Sequence, residues 1–414
     1  MYSYTEACRF FGDMFPEDLA RRYGTPLYVY NEAILRERMR EMKSILKDDS
    51  FTVNYSIKTN SNLSILKIAL DEGLSADAMS PGEIHVLLEA GFPSEKIFYV
   101  ANNVSEDEMR YAIDRNVMIS LDSVSQIERF GKINPGGRCA IRLNPGIGAG
   151  HHAKVVTAGK KTKFAVADID IDTAIETANR FALRIVGVNQ HIGSHFMDSK
   201  KFLEALSNFL SLAEQFEKLE FVDFGGGFGI PYKKLSGEER FDIEEFSGKL
   251  TVMVREWKKK YGRNVVFKSE PGRYIAAESG IILGRVQTIK HNYSDKYIGT
   301  DVGMNVLIRP SMYNSWHDIE VYRNNTPILD GDVEEVTVVG NICETGDILA
   351  ARRLLPQIEE GDLICVLDTG AYGYSMASSY NNRLRPAEVM IGMDGKERLI
   401  RRRETLSDLM TLFP

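Results

Sequence analysis

Short apolar stretches alternate with amphipathic stretches over the first two thirds of the chain. The apolar stretches are rich in β-branched and aromatic residues and predict eight strands, near 51–57, 74–78, 97–100, 118–121, 138–143, 184–191, 219–224 and 265–270. Between them, segments such as 63–70 and 202–210 repeat apolar residues at three and four positions, as amphipathic helices do. This α/β succession predicts a closed (β/α)8 barrel of the TIM type. An open, doubly wound parallel sheet is the alternative.

Two of the predicted helices begin with serine followed three positions later by glutamate. Ser80 with Glu83 and Ser105 with Glu108 therefore predict capping boxes, and Pro81 suits the first helical position of the earlier one. These signals support helices at the two sites.

The pattern changes after residue 280, where alternating β-rich segments replace the helices. Segments 281–290, 333–339 and 362–368 predict an all-β domain, a barrel or a sandwich, and the isolated early strand at 26–30 is expected to join it. We therefore predict a barrel domain over 31–280 and a β domain made of 1–30 and 281–414.

Composition and charge exclude several kinds of partner. The 414 residues carry a formal net charge of -7 and no concentrated basic stripe, which argues against nucleic acid. No apolar run approaches membrane-spanning length, and the amino terminus lacks the features of a secretory signal. The four cysteines have neither paired nor metal-ligand spacing, so we expect no disulfide, no metal site and a reducing cytoplasm.

The predicted strand ends carry the chemistry, because the active site of such a barrel lies at the carboxyl ends of its strands. A lysine delivered there by a buried strand can form an imine with a carbonyl, since desolvation lowers its pKa. Polar groups follow six of the eight strands: Lys58, Asp77, Arg142, His191 with Ser194, the glycines 225–227, and Glu270 with Arg273. An alternative is that each is an ordinary surface residue.

A phosphate site is expected after strands seven and eight. The three consecutive glycines offer amide hydrogens as an anion nest and stand at that point, near Ser194 and Gly272. Together with Lys58 and an acid, this nest suggests pyridoxal phosphate, with Glu270 beside the pyridine nitrogen. His191 could lie against the ring, and His195 has no assigned role.

Several ordered segments resemble the fold-type III, alanine-racemase-like pyridoxal-phosphate decarboxylases over essentially the whole chain. They are 55–60, 191–194, 225–232 and 270–273, followed by 307–310, 343–347, 370–376, 380–381 and 385–388. Three places depart from the family pattern: Thr345 replaces a serine, Ala165 replaces a glycine in the segment that follows the loop 151–159, and the stretch 311–316 is less typical although Tyr313 is present.

The resemblance implies roles for individual residues. Catalytic roles fall to Lys58, which would hold the cofactor, to His191 and Glu270, and to Cys343, which would return a proton after carbon dioxide leaves. The cofactor would be bound by Lys58, Asp77, Arg142, His191, Ser194, Gly225, Gly226, Gly227, Glu270, Gly272, Arg273 and Tyr372. The substrate would be bound by Arg273, Arg309, Tyr313, Glu344 and Tyr372.

The resemblance also implies a homodimer with shared active sites and an amino-acid substrate. It is greatest to the members that convert meso-diaminopimelate to L-lysine and carbon dioxide, the last step of lysine biosynthesis. Arginines at the substrate's far end suit its distal carboxylate. Ornithine, lysine or arginine would leave that buried charge unpaired, at a cost of several kcal/mol. A decarboxylase for one of these or for carboxynorspermidine, and a non-catalytic relative that binds the cofactor or regulates a partner, are the alternatives.

Overall fold

The protein is represented by a computed structural model that describes residues 2–100, 102–148, 157–159 and 162–414. It divides into two compact units. The β unit comprises residues up to Glu37 together with Pro231–Glu239 and Ala276–Pro414, and the barrel unit comprises Arg38–Ile230 and Arg240–Ile275. The segment Pro231–Glu239 thus belongs to the β unit, and the predicted domain limits at 31 and 280 stay predictions.

The chain opens with short helices and one strand of the β unit. These are α1 (Tyr4–Ala7), α2 (Pro16–Tyr23) and β1 (Leu27–Asn31), after which α3 (Glu32–Lys43) leads on. All five residues of β1 are buried. Pairing of β1 with strands of the later sheet, described below, confirms that this early strand belongs outside the barrel.

Eight parallel strands close into a barrel, which confirms the predicted fold and excludes the open sheet. The strands are β2 (Phe51–Ser56), β3 (Ser75–Ala78), β4 (Ile97–Tyr99), β5 (Met118–Leu121), β6 (Arg138–Arg142), β7 (Arg184–Asn189), β8 (Phe221–Asp223) and β9 (Val266–Ser269). The helices among them are α4 (Leu63–Asp71), α5 (Pro81–Glu89), α6 (Glu106–Ile113), α7 (Val124–Ile133), α8 (Ile171–Arg180), α9 (Ser199–Ala213) and α10 (Ile243–Tyr261). The short α11 (Arg273–Ala276) follows β9.

Capping explains where two of these helices begin. Ser105 and Glu108 form the predicted reciprocal capping box at the start of α6. At α5 the Ser80 hydroxyl accepts from the Glu83 N–H, but the Glu83 carboxylate accepts from the Met79 N–H. The predicted reciprocal box is therefore wrong in that half. The backbone of Ser80 is more extended, with φ −156° compared with −76° at Ser105, and a different N–H meets the carboxylate.

A ten-stranded, mostly antiparallel sheet forms the β unit. Its later strands are β10 (Gly280–Asn292), β11 (Asp295–Thr300), β12 (Ile319–Arg323), β13 (Thr326–Pro327), β14 (Val333–Val339), β15 (Ile348–Pro356), β16 (Leu363–Val366), β17 (Ala387–Ile391) and β18 (Glu397–Arg401), with α12 (Arg309–Tyr313) before β12. Strand β1 pairs antiparallel with β10 and parallel with β17. In the described part of the chain, no helix is both long and apolar enough to cross a membrane.

Candidate functional site

Lys58 lies immediately past the carboxyl end of β2, in a 3-10 turn formed by Ile57–Thr59. The turn is fixed by its neighbours: Thr59 Oγ1 donates to the Ser56 carbonyl at 2.7 Å, and Tyr55 Oη donates to the Asn60 carbonyl at 3.1 Å. Ile57 and Thr59 are buried, whereas Lys58 is only partly buried. The local structure therefore presents a partly exposed amine on a rigid, buried turn.

Three buried carboxyl groups lie at this end of the barrel, and the Lys58 charge acts on two of them, Asp77 and Glu270. Asp77, in β3, accepts from Ser56 Oγ at 3.1 Å, and burial raises the pKa of Asp77 to about 8 although the Lys58 charge opposes this. Burial raises the pKa of Asp223, the last residue of β8, to about 6. Burial, then the charges of Asp223 and Asp77, raise the pKa of Glu270 well above its usual range. The carboxyl of Glu270 thus retains a proton where an exposed glutamate would be ionised.

Cations and a histidine complete this end of the barrel. Arg142, the last residue of β6, is buried, and its charge acts on both Glu270 and His191. Burial, followed by the charges of Lys58 and Arg142, lowers the pKa of His191 well below its usual range. The imidazole is therefore neutral near pH 7. Its Nδ1 accepts from the Gly226 N–H at 3.4 Å.

The glycine triplet is required by the close approach of neighbouring loops. A Cβ on Gly226 would lie 2.0 Å from the Glu270 carbonyl oxygen, and one on Gly227 would lie 2.4 Å from that of Gly193. Gly227 also has φ +110°, which side-chain-bearing residues rarely adopt. The triplet thus brings the loops after β7, β8 and β9 together.

These loops offer hydrogen-bond donors that a phosphate could use. Arg273 Nη2 donates to Ser194 Oγ at 2.9 Å, which joins two of the predicted cofactor residues. The backbone N–H groups of Gly227 and Gly272 donate to no group within the described ranges. Such N–H groups beside a guanidinium form a nest for an anion.

Pyridoxal phosphate fits the groups at this end of the barrel. Oε1 of Glu270 and Oδ1 of Asp77 are buried and have no hydrogen-bond partner among the described residues. A buried acceptor without a donor is costly, and the protonated ring nitrogen of pyridoxal phosphate would supply one. The amine, the buried acid and the anion nest are the three groups that this cofactor requires.

The other predicted substrate residues belong to the β unit. Arg309 is 2% exposed, its Nη1 donates to Tyr232 Oη at 3.0 Å and lies 2.8 Å from His317 Nε2, and its Nη2 donates to Ser315 Oγ. Tyr313 ends α12 and is partly exposed. Tyr372 follows β16 with φ +59°, a left-handed conformation.

Cys343 and Glu344 lie in the loop that joins β14 to β15, and both are exposed. The Cys343 N–H donates to Asn381 Oδ1 at 2.8 Å, and Tyr380 Oη donates to Glu344 Oε2 at 3.1 Å. The loop is therefore held at its backbone and at one acid, while the thiol is open to solvent.

Sequence reasoning missed Asp223 and Lys268, which are neighbours across β8 and β9. The Lys268 amine lies 4.3 Å from the centre of the Phe221 ring, and the Asp223 carboxylate accepts from the Asn54 amide at 3.2 Å. The alternation of Phe221 with Asp223, and of Lys268 with Glu270, is a signal of one strand face that could have identified both. His195, left without a role, lies with Nε2 2.8 Å from the Ile230 carbonyl oxygen.

The chain is similar to known proteins of one family. The family of pyridoxal-dependent decarboxylases, through its pyridoxal binding domain, matches residues 32–277. A diaminopimelate decarboxylase of Methanothermobacter thermautotrophicus is 42% identical over 402 residues, which cover 95% of this chain and 92% of the relative. The chain therefore belongs to the pyridoxal-dependent decarboxylases, and pyridoxal phosphate is the cofactor.

Solved structures agree with this class. The crystal structure of diaminopimelate decarboxylase from Helicobacter pylori, complexed with L-lysine, matches with a TM-score of 0.87 and 32% identity over 96% of this chain and 98% of that one. Another crystal structure of a diaminopimelate decarboxylase matches with a TM-score of 0.90 and 30% identity over 97% and 98%. Within its class, the chain belongs to the diaminopimelate decarboxylase family.

Proposed function

We propose that the protein decarboxylates meso-diaminopimelate to L-lysine and carbon dioxide, the last step of lysine biosynthesis. The observation that carries the proposal is the meeting of Lys58 with the buried acid Glu270, whose Oε1 has no partner among the described residues. An amine and an acid at the same end of one barrel are what pyridoxal phosphate chemistry needs. The high identity to diaminopimelate decarboxylases supports this substrate over other diamino acids.

Residues of the barrel unit would hold the cofactor. Lys58 Nζ would hold the cofactor covalently between turnovers, and Glu270 would face its ring nitrogen. The raised pKa of Glu270 supports this role, because the cofactor-free carboxyl carries a proton that it could pass to the ring nitrogen, after which the carboxylate would accept the hydrogen bond. Neutral His191 packs against the ring without adding charge, while Asp77 and Arg142 balance the charges around it.

The phosphate would be bound by the loops after β7, β8 and β9. The Ser194 hydroxyl, the Arg273 guanidinium and the N–H groups of Gly227 and Gly272 supply the donors, and Tyr372 adds a hydroxyl. Gly225 and Gly226 keep the loops close enough for these donors to converge. When bound, pyridoxal phosphate accepts the electron pair that is left as carbon dioxide departs.

Substrate recognition is proposed to depend on arginine. Arg273 and Arg309 bind the distal carboxylate through paired hydrogen bonds, with Tyr313 and Tyr372 beside them. Glu344 accepts from the distal ammonium. A substrate without a distal carboxylate would leave buried guanidinium charge unpaired, and this would disfavour ornithine, lysine and arginine.

The working enzyme is proposed to be a homodimer with shared active sites. Cys343 and Glu344 are exposed on their own loop, which suits residues that act in the site of a second copy. There Cys343 Sγ returns a proton to the α-carbon after carbon dioxide has left. The four free cysteines favour a reducing cytoplasm as the location.

Carbon dioxide release tests the proposal. Purified protein supplied with pyridoxal phosphate is given meso-diaminopimelate, L-lysine, ornithine, arginine or carboxynorspermidine in separate reactions. We expect release from meso-diaminopimelate alone, and Arg309→Lys should raise KM by about tenfold because lysine loses the paired hydrogen bonds. Release only from a substrate without a distal carboxylate would overturn the roles of Arg273 and Arg309. Failure with every substrate would favour a non-catalytic relative.

A further inference from the structure

A cavity of about 450 Å³ lies within the β unit, beside strands β12 and β15. Much of its wall is apolar, formed by Ile319, Val321, Pro327, Ile328, Leu329 and Leu355. A volume of this size is typical of a site for a small organic molecule. None of the residues assigned above to cofactor or substrate lines it.

One charged side chain in this wall has no hydrogen-bond or ion-pair partner among the described residues. Arg353 is 8% exposed and stacks on the Trp316 ring, and its guanidinium makes no hydrogen bond or ion pair with any residue of the described ranges. Burial lowers the pKa of Arg353 to about 10 although the Asp318 charge opposes this, so Arg353 still carries its charge near neutral pH. A buried guanidinium without a hydrogen-bonded partner destabilises a fold, whereas an anion bound in two parallel hydrogen bonds removes that penalty.

The acids in the same wall are already occupied. Asp318 accepts from Trp316 Nε1 at 2.7 Å and from the Leu235 N–H at 2.8 Å. Glu320 accepts from the backbone N–H groups of Tyr4 and Thr5 and from the Thr5 hydroxyl. Both carboxylates thus already accept hydrogen bonds from the protein, whereas the guanidinium of Arg353 donates none within the described ranges and can pair with a ligand carboxylate.

We propose that this cavity binds a small monocarboxylate with an apolar or aromatic body. The ligand carboxylate pairs with the Arg353 guanidinium, and its body packs on Trp316 and the aliphatic wall. A ligand bearing an ammonium group is disfavoured because its charge would be repelled by that of Arg353. This site is independent of the proposed decarboxylation, since its residues are distinct from those assigned to that reaction.

Titration calorimetry of the holoenzyme with 3-phenylpropanoate tests the site. The protein is first saturated with L-lysine, so that 3-phenylpropanoate cannot bind at the decarboxylation site and add to the measured heat. We expect binding that is at least about tenfold tighter than that of the uncharged 3-phenylpropanamide, the scale of one charged hydrogen bond. Equal binding of acid and amide, or no binding of the acid at about 10 mM, would overturn the proposal.

Two variants connect the binding to Arg353. Arg353→Met should weaken 3-phenylpropanoate binding at least about tenfold, whereas Arg110→Met, which removes an exposed charge of α6 outside the cavity lining, should change it less than about twofold. Carbon dioxide release by both variants checks that they fold. Should Arg353→Met fail to fold, Arg353→Lys replaces it and should bind several-fold more weakly. Undiminished binding by the folded Arg353 variant would refute the assignment.

Discussion

The reactive groups at the barrel end are buried, whereas those in the loop between β14 and β15 are exposed to solvent. Asp77 and Glu270 are 0% and 5% exposed, and burial raises the pKa of both. Cys343 and Glu344 are exposed, one with its backbone and the other with its carboxylate hydrogen-bonded to the segment 380–381. The first site has been desolvated by the fold of one chain, and the second has not.

This difference indicates where each site obtains its reactivity. In the barrel, neighbouring strands supply the low-polarity surroundings and the opposing charges that shift pKa values. A thiol in solvent has no such surroundings and acquires them only when something covers it. Variants of the two sites should therefore behave differently, and the four predictions below test this difference.

Lys58→Ala removes the amine of the desolvated site and should reduce carbon dioxide release by about 10³-fold or more, because covalent and proton-transfer roles are lost together. The visible absorbance of the bound cofactor should disappear with it. Lys67→Ala, an exposed lysine of α4, is the matched control and should retain both signals. Full activity in Lys58→Ala would remove this residue from the mechanism.

Mixing two inactive variants tests whether the exposed loop is completed by a second copy. Lys58→Ala and Cys343→Ala are each expected to lose activity, yet random reassortment should recover about a quarter of the wild-type rate, since each heterodimer contains one intact site. A mixture of Lys58→Ala with the Lys58→Ala/Cys343→Ala double variant contains no intact site and should stay inactive. Persistent inactivity of the first mixture would show that Cys343 acts within its own chain.

The raised pKa values of the buried carboxyl groups should make the free energy of unfolding depend on pH. In the folded, cofactor-free chain the pKa of Asp77 is about 8, so Asp77 keeps its proton until the pH approaches that value. An unfolded aspartate loses its proton near pH ~4. The folded state therefore binds more protons between these values, and the free energy of unfolding falls as pH rises. Asp77→Asn should make this fall shallower in urea titrations at several pH values.

Asp49→Asn is the control for that measurement, because Asp49 is exposed. Its slope of unfolding free energy against pH should equal that of the wild type. An equally steep slope in Asp77→Asn would mean that Asp77 does not hold the extra proton.

The smallest effect is expected at Ala165, the position where the family pattern has glycine. Ala165 has φ +73°, a left-handed conformation that penalises any side chain. Ala165→Gly should therefore raise the free energy of unfolding by about 0.5–1 kcal/mol, as judged from urea denaturation midpoints. Ala167 has φ −71°, so Ala167→Gly should lower the free energy of unfolding by a similar amount.

The predicted family match in the adjoining loop falls partly on 151–156, which are outside the described residues.

The sequence by itself determined the order of the elements and the chemistry at the barrel end. Apolar stretches rich in β-branched and aromatic residues predicted the eight barrel strands, and the strand beginning at Leu27 was assigned to the later sheet. The motifs around Lys58, Gly226 and Glu270 indicated the family and the cofactor. Each motif is a short run of neighbouring residues, so it can be recognised in the sequence without knowledge of the fold.

Only the tertiary structure decided which groups are desolvated and which neighbours they meet. In the folded chain the glycine triplet lies in close contact with neighbouring loops, and Asp223 lies beside Lys268. Arg353 lines the wall of a cavity. Burial and cross-strand contact join residues far apart in the chain, so a local pattern can indicate which strand face a residue occupies but not which residue it contacts. These contacts arise only when strands such as β8 and β9 pair in register.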